Sequence, residues 1–287
     1  MSAIDRTEGF LRAGGARIHY RSFGRRSSPV VLGLAGGPGG SLDALLSLAD
    51  LVQFGYRVVL FDPVGCGDSE RPRAARFYTQ RHAVEEVEAV RRALRLGRVH
   101  LFGASYGGAL ALDVALRFPR SLRSLHVSSG YSSYELAQSE YRRRVDGLPR
   151  RAAATLRRFE GREDFRDPEF RAAFEVLRRK HYSRLDPRPY DVWYMTTHLN
   201  PSADRGRQEG WDVTDRLPQI RLPCLVTVGR HDIVTPRCAR VIHDGIVGST
   251  LVVFARSAHS PYWEQRERFM RTYRAFLEQA DRPGASG

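Results

Sequence analysis

The sequence predicts an α/β fold, a mostly parallel, doubly wound sheet with a helical cap inserted after its sixth strand. Three observations carry that prediction. Short apolar runs alternate with helix-forming stretches from Pro29 to Ser128, the pattern of parallel βαβ units. Residues 131–216 then hold helical patterns and no strand. Strands resume at Pro223–Val228 and end at Leu251–Phe254. The expected divisions are a core over 1–130, a cap over 131–216, the rest of the core over 217–280 and a disordered tail over 281–287.

In chain order, Phe10–Leu11 and Arg17–Phe23 flank Ala13-Gly14-Gly15 and read as a hairpin. Pro29–Leu34 is a buried strand running into Ala35-Gly36-Gly37-Pro38-Gly39-Gly40, and Leu42–Phe54 has helical spacing. Arg57–Phe61 is a strand ending in the tight loop Asp62–Ser69, where Asp62 and Asp68 are placed to bond local backbone N–H groups. Tyr78–Leu96 reads as an amphipathic helix with Val84, Val87, Val90 and Leu94 inward. Its charges Glu85, Glu86, Glu88, Arg91 and Arg92 read as a solvated face. Val99–Phe102 and Leu122–Val127 are strands with a helix, Ala109–Arg117, between them. In the cap, helices are expected at Glu135–Asp146, Pro149–Glu160, Pro168–His181 and Pro189–Leu199. Its aromatics Tyr131, Tyr134, Phe174, Tyr182, Trp193, Tyr194 and Trp211 serve mainly as cap core. Pro236–Ile246 and Glu264–Ala280 are the closing helices.

Composition narrows the function. The 287 residues, 42% of them apolar, suffice for one large core with an insertion. No apolar run reaches the length of a membrane span, and the N-terminus lacks a secretory pattern, so a cytoplasmic location is expected. Cys66, Cys224 and Cys238 have no metal-ligand spacing and read as reduced thiols, Cys66 lying in a Gly-rich loop near the candidate site. The formal charge of +14 raises nucleic acid as a partner. The basic residues are arginines apart from Lys180, they interleave with acids, and no aromatic–basic alternation marks a stacking platform. Neither nucleic acid nor a membrane is expected as a partner; an acidic protein surface remains compatible with the charge.

The chemistry centres on Gly103-Ala104-Ser105-Tyr106-Gly107, set between a strand and a helix. Glycines two before and two after the serine let the backbone turn sharply and leave the hydroxyl exposed. The helix that starts after it directs N–H groups at the place where an oxyanion forms. The loop over 35–40 can supply a second such donor. It is not a phosphate loop, since G-x-x-x-x-G-K-[ST] is absent and no lysine is near. Asp232 and His259 each follow an apolar strand, giving the order Ser, Asp, His. Serine is a weak nucleophile near neutral pH, so His259 must take its proton, and Asp232 must hold the imidazole tautomer and stabilise its cation. Of the nine histidines, His259 is the one suited to this role: it lies on the loop after the last strand, whereas His231, which neighbours the proposed acid, stands at the position immediately before it and points elsewhere. No histidine spacing suits a metal, and no cofactor is expected.

Gly36-Gly37-Pro38-Gly39, Asp62 with Gly65–Ser69, Gly103–Gly108, Trp211–Asp215, Asp232 with Val234–Pro236, and Ser257 with His259 together resemble the proline iminopeptidase family, and are most similar to its tricorn-interacting aminopeptidase branch. The resemblance spans about Gly24 to Ala280. It implies a capped α/β-hydrolase with catalytic Ser105, Asp232 and His259, oxyanion donors at the Gly37 and Tyr106 N–H groups, and a cis Gly37-Pro38 bond.

Three positions depart from that family. Ala35 stands where a histidine is usual. Ile233 and Pro201 stand where two glutamates hold the substrate's free α-ammonium. An ammonium buried against Ile233 without a partner costs several kcal/mol, of order 3–5. Asp191, Asp204 or Glu209 would have to replace the anchor. The expected substrate pocket takes in Gly36, Trp193, Tyr194, Pro201 and Ile233. The reading is a serine hydrolase acting on an amide of a small-molecule or short peptide-like substrate. Ester or lactone hydrolysis by the same residues is the alternative, and a non-hydrolytic binding protein on the same fold a third.

Overall fold

Two glycines turn the first strand back on itself. Gly14 and Gly15, at φ of 58° and 85°, make the two-residue turn between β1 (Arg6–Ala13) and β2 (Ala16–Phe23). The computed structural model describes residues 5–160, 166–186 and 208–282. Six further strands complete one sheet: β3 (Val30–Leu34), β4 (Arg57–Phe61), β5 (Val99–Ala104), β6 (Leu122–Ser128), β7 (Cys224–Gly229) and β8 (Thr250–Phe254). Their order is β1-β2-β4-β3-β5-β6-β7-β8, antiparallel across the first two pairings and parallel from β4 to β8. β3, β5 and β7 are buried along their whole length, as strands covered on both faces must be.

Each face of the sheet is covered by helices. On one lie α1 (Gln80–Ala93) and α2 (Tyr106–Arg117), which bring Val87, Val90, Leu112 and Val114 against Leu32, Val59 and Leu101. On the other, the 3₁₀ segment Leu42–Phe54 and a closing helix pack Leu45, Leu48, Phe269 and Tyr273 around Phe102. Between β6 and β7 the described chain is helical: α3 (Tyr134–Asp146), α4 (Arg150–Arg158), α5 (Pro168–Leu177) and a π turn, Arg178–Tyr182. This insertion has its own apolar cluster, with Leu156, Phe170, Phe174 and Leu177 packed together with Ile233 and Val234 from the loop after β7. α6 (Pro236–Gly245) and α7 (Arg266–Ala280) follow in the last part of the chain. The expected helix Pro189–Leu199 lies outside the described residues. Among the described residues no helix is long and apolar enough to cross a membrane.

Several expectations need correction. α1 starts at Gln80, because Thr79 Oγ1 caps it by accepting from the His82 N–H at 3.1 Å. Glu86 and Glu88 are buried rather than solvated. Glu86 accepts the Val64 N–H at 2.9 Å, and Glu88 is covered by Arg91 and Arg92 at 2.5–2.8 Å, so each buried carboxylate has partners. The helix expected from Glu264 is a single turn, Pro261–Glu264, then α7; Gln265 between them leaves helical geometry. Asp281 does not belong to a disordered tail, since its carboxylate accepts from Tyr56 Oη at 3.2 Å and from Arg123 at 3.3 Å.

Candidate active site

Ser105 sits where β5 turns into α2, with φ 56° and ψ −122°, a left-handed conformation that a residue with a Cβ adopts only under constraint. The constraint is visible on both sides. The Ser105 N–H donates to the Ser128 carbonyl at the end of β6 at 2.9 Å, and the Ser105 carbonyl accepts from Gly108 N at 2.8 Å. The neighbouring glycines are required by close approach. A Cβ on Gly103 would lie 2.1 Å from the Gly107 oxygen, and one on Gly107 would lie 2.2 Å from the Leu34 oxygen. The first turn of α2 is thus pressed against the ends of β5 and β3, and the hydroxyl stands at the crest.

The loop after β3 passes over the serine. A Cβ on Gly36 would lie 3.0 Å from Ser105 Cβ and 3.6 Å from its Oγ. Gly37 has φ 122°, the Gly37-Pro38 peptide is cis, and Gly40 N–H closes the loop on the Gly36 carbonyl at 3.0 Å. Tyr106 opens α2, where first-turn N–H groups point out of the helix end. Both proposed oxyanion donors therefore belong to backbone adjoining Ser105. Ala35 is buried beside them.

Asp232 lies in the tight turn after β7, its N–H on the Gly229 carbonyl at 3.2 Å. It is fully buried; Oδ1 accepts from Val234 N at 2.8 Å and from His259 Nδ1 at 2.6 Å. Burial pushes this carboxyl above the usual range, and His259 opposes the rise. The Nδ1–carboxylate bond leaves His259 Nε2 as the acceptor nitrogen of the neutral ring, the tautomer a general base needs. His259 follows β8, and its side chain is 12% exposed. Its ring meets Tyr182 edge to face at 5.4 Å, and its N–H donates to the Tyr182 carbonyl at 3.2 Å.

The structure therefore brings Asp232 and His259 into contact, sets Gly36 against Ser105, and puts all of them at the C-terminal edge of the parallel strands, where open α/β sheets bind ligands. Ser105 Oγ makes no hydrogen bond to His259 among the described residues. Such bonds are often long before substrate binds. Ile233 is buried in the apolar cluster shared with the insertion, and its N–H donates to the His181 carbonyl at 3.1 Å. Trp193, Tyr194, Pro201, Asp191 and Asp204 lie outside the described residues, and Glu209 is exposed.

Other sequence candidates play structural parts. Asp62 accepts from Leu42 N at 2.8 Å through Oδ1 and from Asp68 N at 3.1 Å through Oδ2, and also meets His19 Nδ1 at 2.8 Å. Asp68 thus gives its N–H to the loop, while its carboxylate is 65% exposed. His19, Asp62 and Asp68 are close enough together to suggest a metal, but both Asp62 oxygens are already engaged by N–H donors. Cys66 is buried, as are Cys224 and Cys238, and none of the three is in a disulfide.

The sequence reading did not single out Glu264, Gln265 or the 178–184 segment as part of this site. Glu264 stands four residues after Ser260, one more than the capping-box spacing, so no local pattern marks its part.

A family model described as alpha/beta hydrolase fold matches residues 29–265. A proline iminopeptidase of Saccharolobus solfataricus is 36% identical, the alignment covering 96% of this chain and 94% of that protein. A proline iminopeptidase of Thermoplasma volcanium is 35% identical, with 97% and 99% covered. Among solved structures, VinJ superposes with a TM-score of 0.88 at 29% identity over 96% of this chain and 99% of VinJ. The proline iminopeptidase of Mycobacterium smegmatis superposes with a TM-score of 0.83 at 27% identity, with 96% and 99% covered.

Proposed function

The chain belongs to the proline iminopeptidase family of alpha/beta hydrolases, and from that premise we propose a serine hydrolase that cleaves an amide bond through an acyl-enzyme on Ser105. His259 Nε2 takes the Ser105 proton as Oγ attacks the carbonyl. The Gly37 and Tyr106 N–H groups receive the negative charge on the carbonyl oxygen. His259 then gives its proton to the leaving nitrogen and activates the water that clears the acyl group. Asp232 keeps the imidazole in register and balances its positive charge. The observation that carries this reading is the 2.6 Å Asp232–His259 bond at the sheet edge where Ser105 stands on a strained turn.

The substrate is a small molecule or a short peptide-like compound. Ile233 bears on which one. It is buried and apolar where the family resemblance places a glutamate, so the site has no carboxylate there for an α-ammonium. That favours a neutral amide, and supports ester or lactone hydrolysis as the second reading. The three buried free thiols favour a reducing, cytoplasmic location, and the arginine-rich surface leaves an acidic protein partner compatible.

Turnover of three matched chromogenic substrates tests the proposal: a free-amine prolyl or alanyl arylamide, its N-acylated counterpart and a short aryl ester, with Ser105→Ala as blank. Preference for the acylated amide or the ester is the expected result. Clear preference for the free amine would overturn the inference from Ile233, and no turnover of any above the blank would count against hydrolysis.

A further inference from the structure

The backbone N–H groups of residues 256–260, the loop around His259, all have partners, three of them side-chain oxygens of Glu264 or Gln265. Arg256 N donates to Gln265 Oε1 at 2.9 Å, and Ser257 Oγ to the same oxygen at 3.1 Å. Ala258 N meets both Glu264 oxygens, at 3.1 and 3.0 Å. Ser260 N donates to Glu264 Oε1 at 3.1 Å. The two residues flanking His259 are thus held by one carboxylate, and His259 N is held by the Tyr182 carbonyl. The other Glu264 oxygen also accepts from Arg184 N at 3.2 Å, just beyond the Arg178–Tyr182 turn of the helical insertion.

The insertion is anchored to the same place by further bonds. Arg178 is buried, paired with Glu175 at 2.6 and 2.7 Å, and donates to the Ser183 carbonyl at 3.0 Å, which fixes the turn over 178–183. That turn presents the His181 carbonyl to Ile233 N, beside the acid, and the Tyr182 carbonyl to His259 N. A carboxylate held by so many N–H donors forms charge-assisted bonds, stronger than those a neutral acceptor makes. A surface helix-capping glutamate would need no contact with the insertion and none with Ala258.

We propose that Glu264 is a positioning residue for His259: its carboxylate fixes the loop on both sides of the histidine and locks that loop to the insertion at Arg184. The proposal rests on the Ser105–His259–Asp232 reading above. Glu264 touches no reacting atom; it acts by keeping the imidazole where Ser105 Oγ and the leaving group need it. Removing the carboxylate frees Ala258, Ser260 and Arg184 N–H together, so the histidine loses its register, while Ile233 N keeps its own bond to the His181 carbonyl. A displacement near 1 Å at a catalytic group costs on the order of 10²-fold in rate.

The test compares Glu264→Ala, Glu264→Gln, His259→Ala and Ser105→Ala with the wild type on the best substrate of the three above, with thermal melts to establish folding. Glu264→Ala is expected to lower kcat on the order of 10²-fold with KM nearly unchanged. Glu264→Gln, which keeps one acceptor oxygen, is expected to fall between the two. The readout that a merely structural role would not move is the split between the two constants, kcat falling while KM holds in a variant whose melt matches the wild type. Should Glu264→Ala fail to fold, Glu264→Gln alone carries the comparison. Wild-type kcat in a folded Glu264 variant, a loss carried by KM rather than kcat, or a loss matched by the unfolded fraction overturns the proposal. Activity retained in His259→Ala would instead overturn the reading beneath it, so the two failures are told apart.

Discussion

Gly103→Ala is the sharpest probe of the turn that carries Ser105. The substitution adds one methyl group at a position whose backbone is otherwise ordinary, so its effect is steric. That methyl would stand 2.1 Å from the Gly107 oxygen, 2.5 Å from the Gly107 carbonyl carbon and 2.8 Å from Gly108 Cα. All three are backbone atoms of α2, so no side chain can rotate aside, and the first turn of the helix must move by about 1 Å to restore ordinary contact. Overpacking of one methylene costs roughly 1–3 kcal/mol when side chains can yield; here about 3 kcal/mol is the expected lower bound. With 287 residues, an unfolding entropy of about 2.1 cal/mol/K per residue turns that into a fall of about 5 °C in Tm. The same shift carries Ser105, so hydrolysis is expected to fall on the order of 10²-fold. Gly55→Ala is the control. Its φ is 86° but no atom lies within 4 Å of the new Cβ, so about 1 kcal/mol of backbone strain and unchanged turnover are expected. Melts and aryl-ester turnover check both. A Gly103→Ala protein with wild-type Tm and rate would refute the steric account of the turn.

Further outcomes follow from the same geometry. Ser105→Gly removes the side chain from a left-handed residue, and is expected to abolish turnover while raising stability by about 1 kcal/mol after the entropy cost of glycine, read by urea unfolding. Asp232→Asn keeps an oxygen for Val234 N and removes a buried charge. Its kcat is expected to fall on the order of 10⁴-fold with a Tm equal to or above the wild type. Stability is expected to decline on acidification below about pH 6.5. His126 is buried between Phe269 and Tyr273, and burial holds it well below its usual value; burial also lowers His100. A depressed folded value means that the contribution is complete above the unfolded value and is lost as pH falls toward the folded one. Melts from pH 8 to 4 check this, and a flat curve through pH 6.5 to 5 would contradict it.

Much of this molecule was readable because its chemistry is local. The apolar runs at Val30–Leu34 and Val99–Phe102 became fully buried strands, short and rich in β-branched and bulky apolar residues as strands of a covered parallel sheet are. Gly103, Ser105 and Gly107 form one turn, and the order Ser105, Asp232, His259 follows strand ends. What failed to show was long-range pairing. Glu86 looks like a solvent residue by periodicity, yet it satisfies Val64 N, a donor 22 positions away. Asp281 looks like tail, yet it reaches Tyr56 across 225 positions. Tyr182 reads as cap core and proves to hold the backbone of His259. In each case the partner is a backbone N–H, a phenol or an imidazole-bearing loop brought near by topology, and no pattern along the chain marks it.

The central claim is that Ser105 is a nucleophile activated by His259. The most direct test is labelling with a fluorophosphonate followed by peptide mass spectrometry. The account predicts one phosphonyl adduct, on the peptide carrying Ser105, absent in Ser105→Ala and formed much more slowly in His259→Ala. An adduct on another residue, or none in the folded wild-type protein, would contradict it.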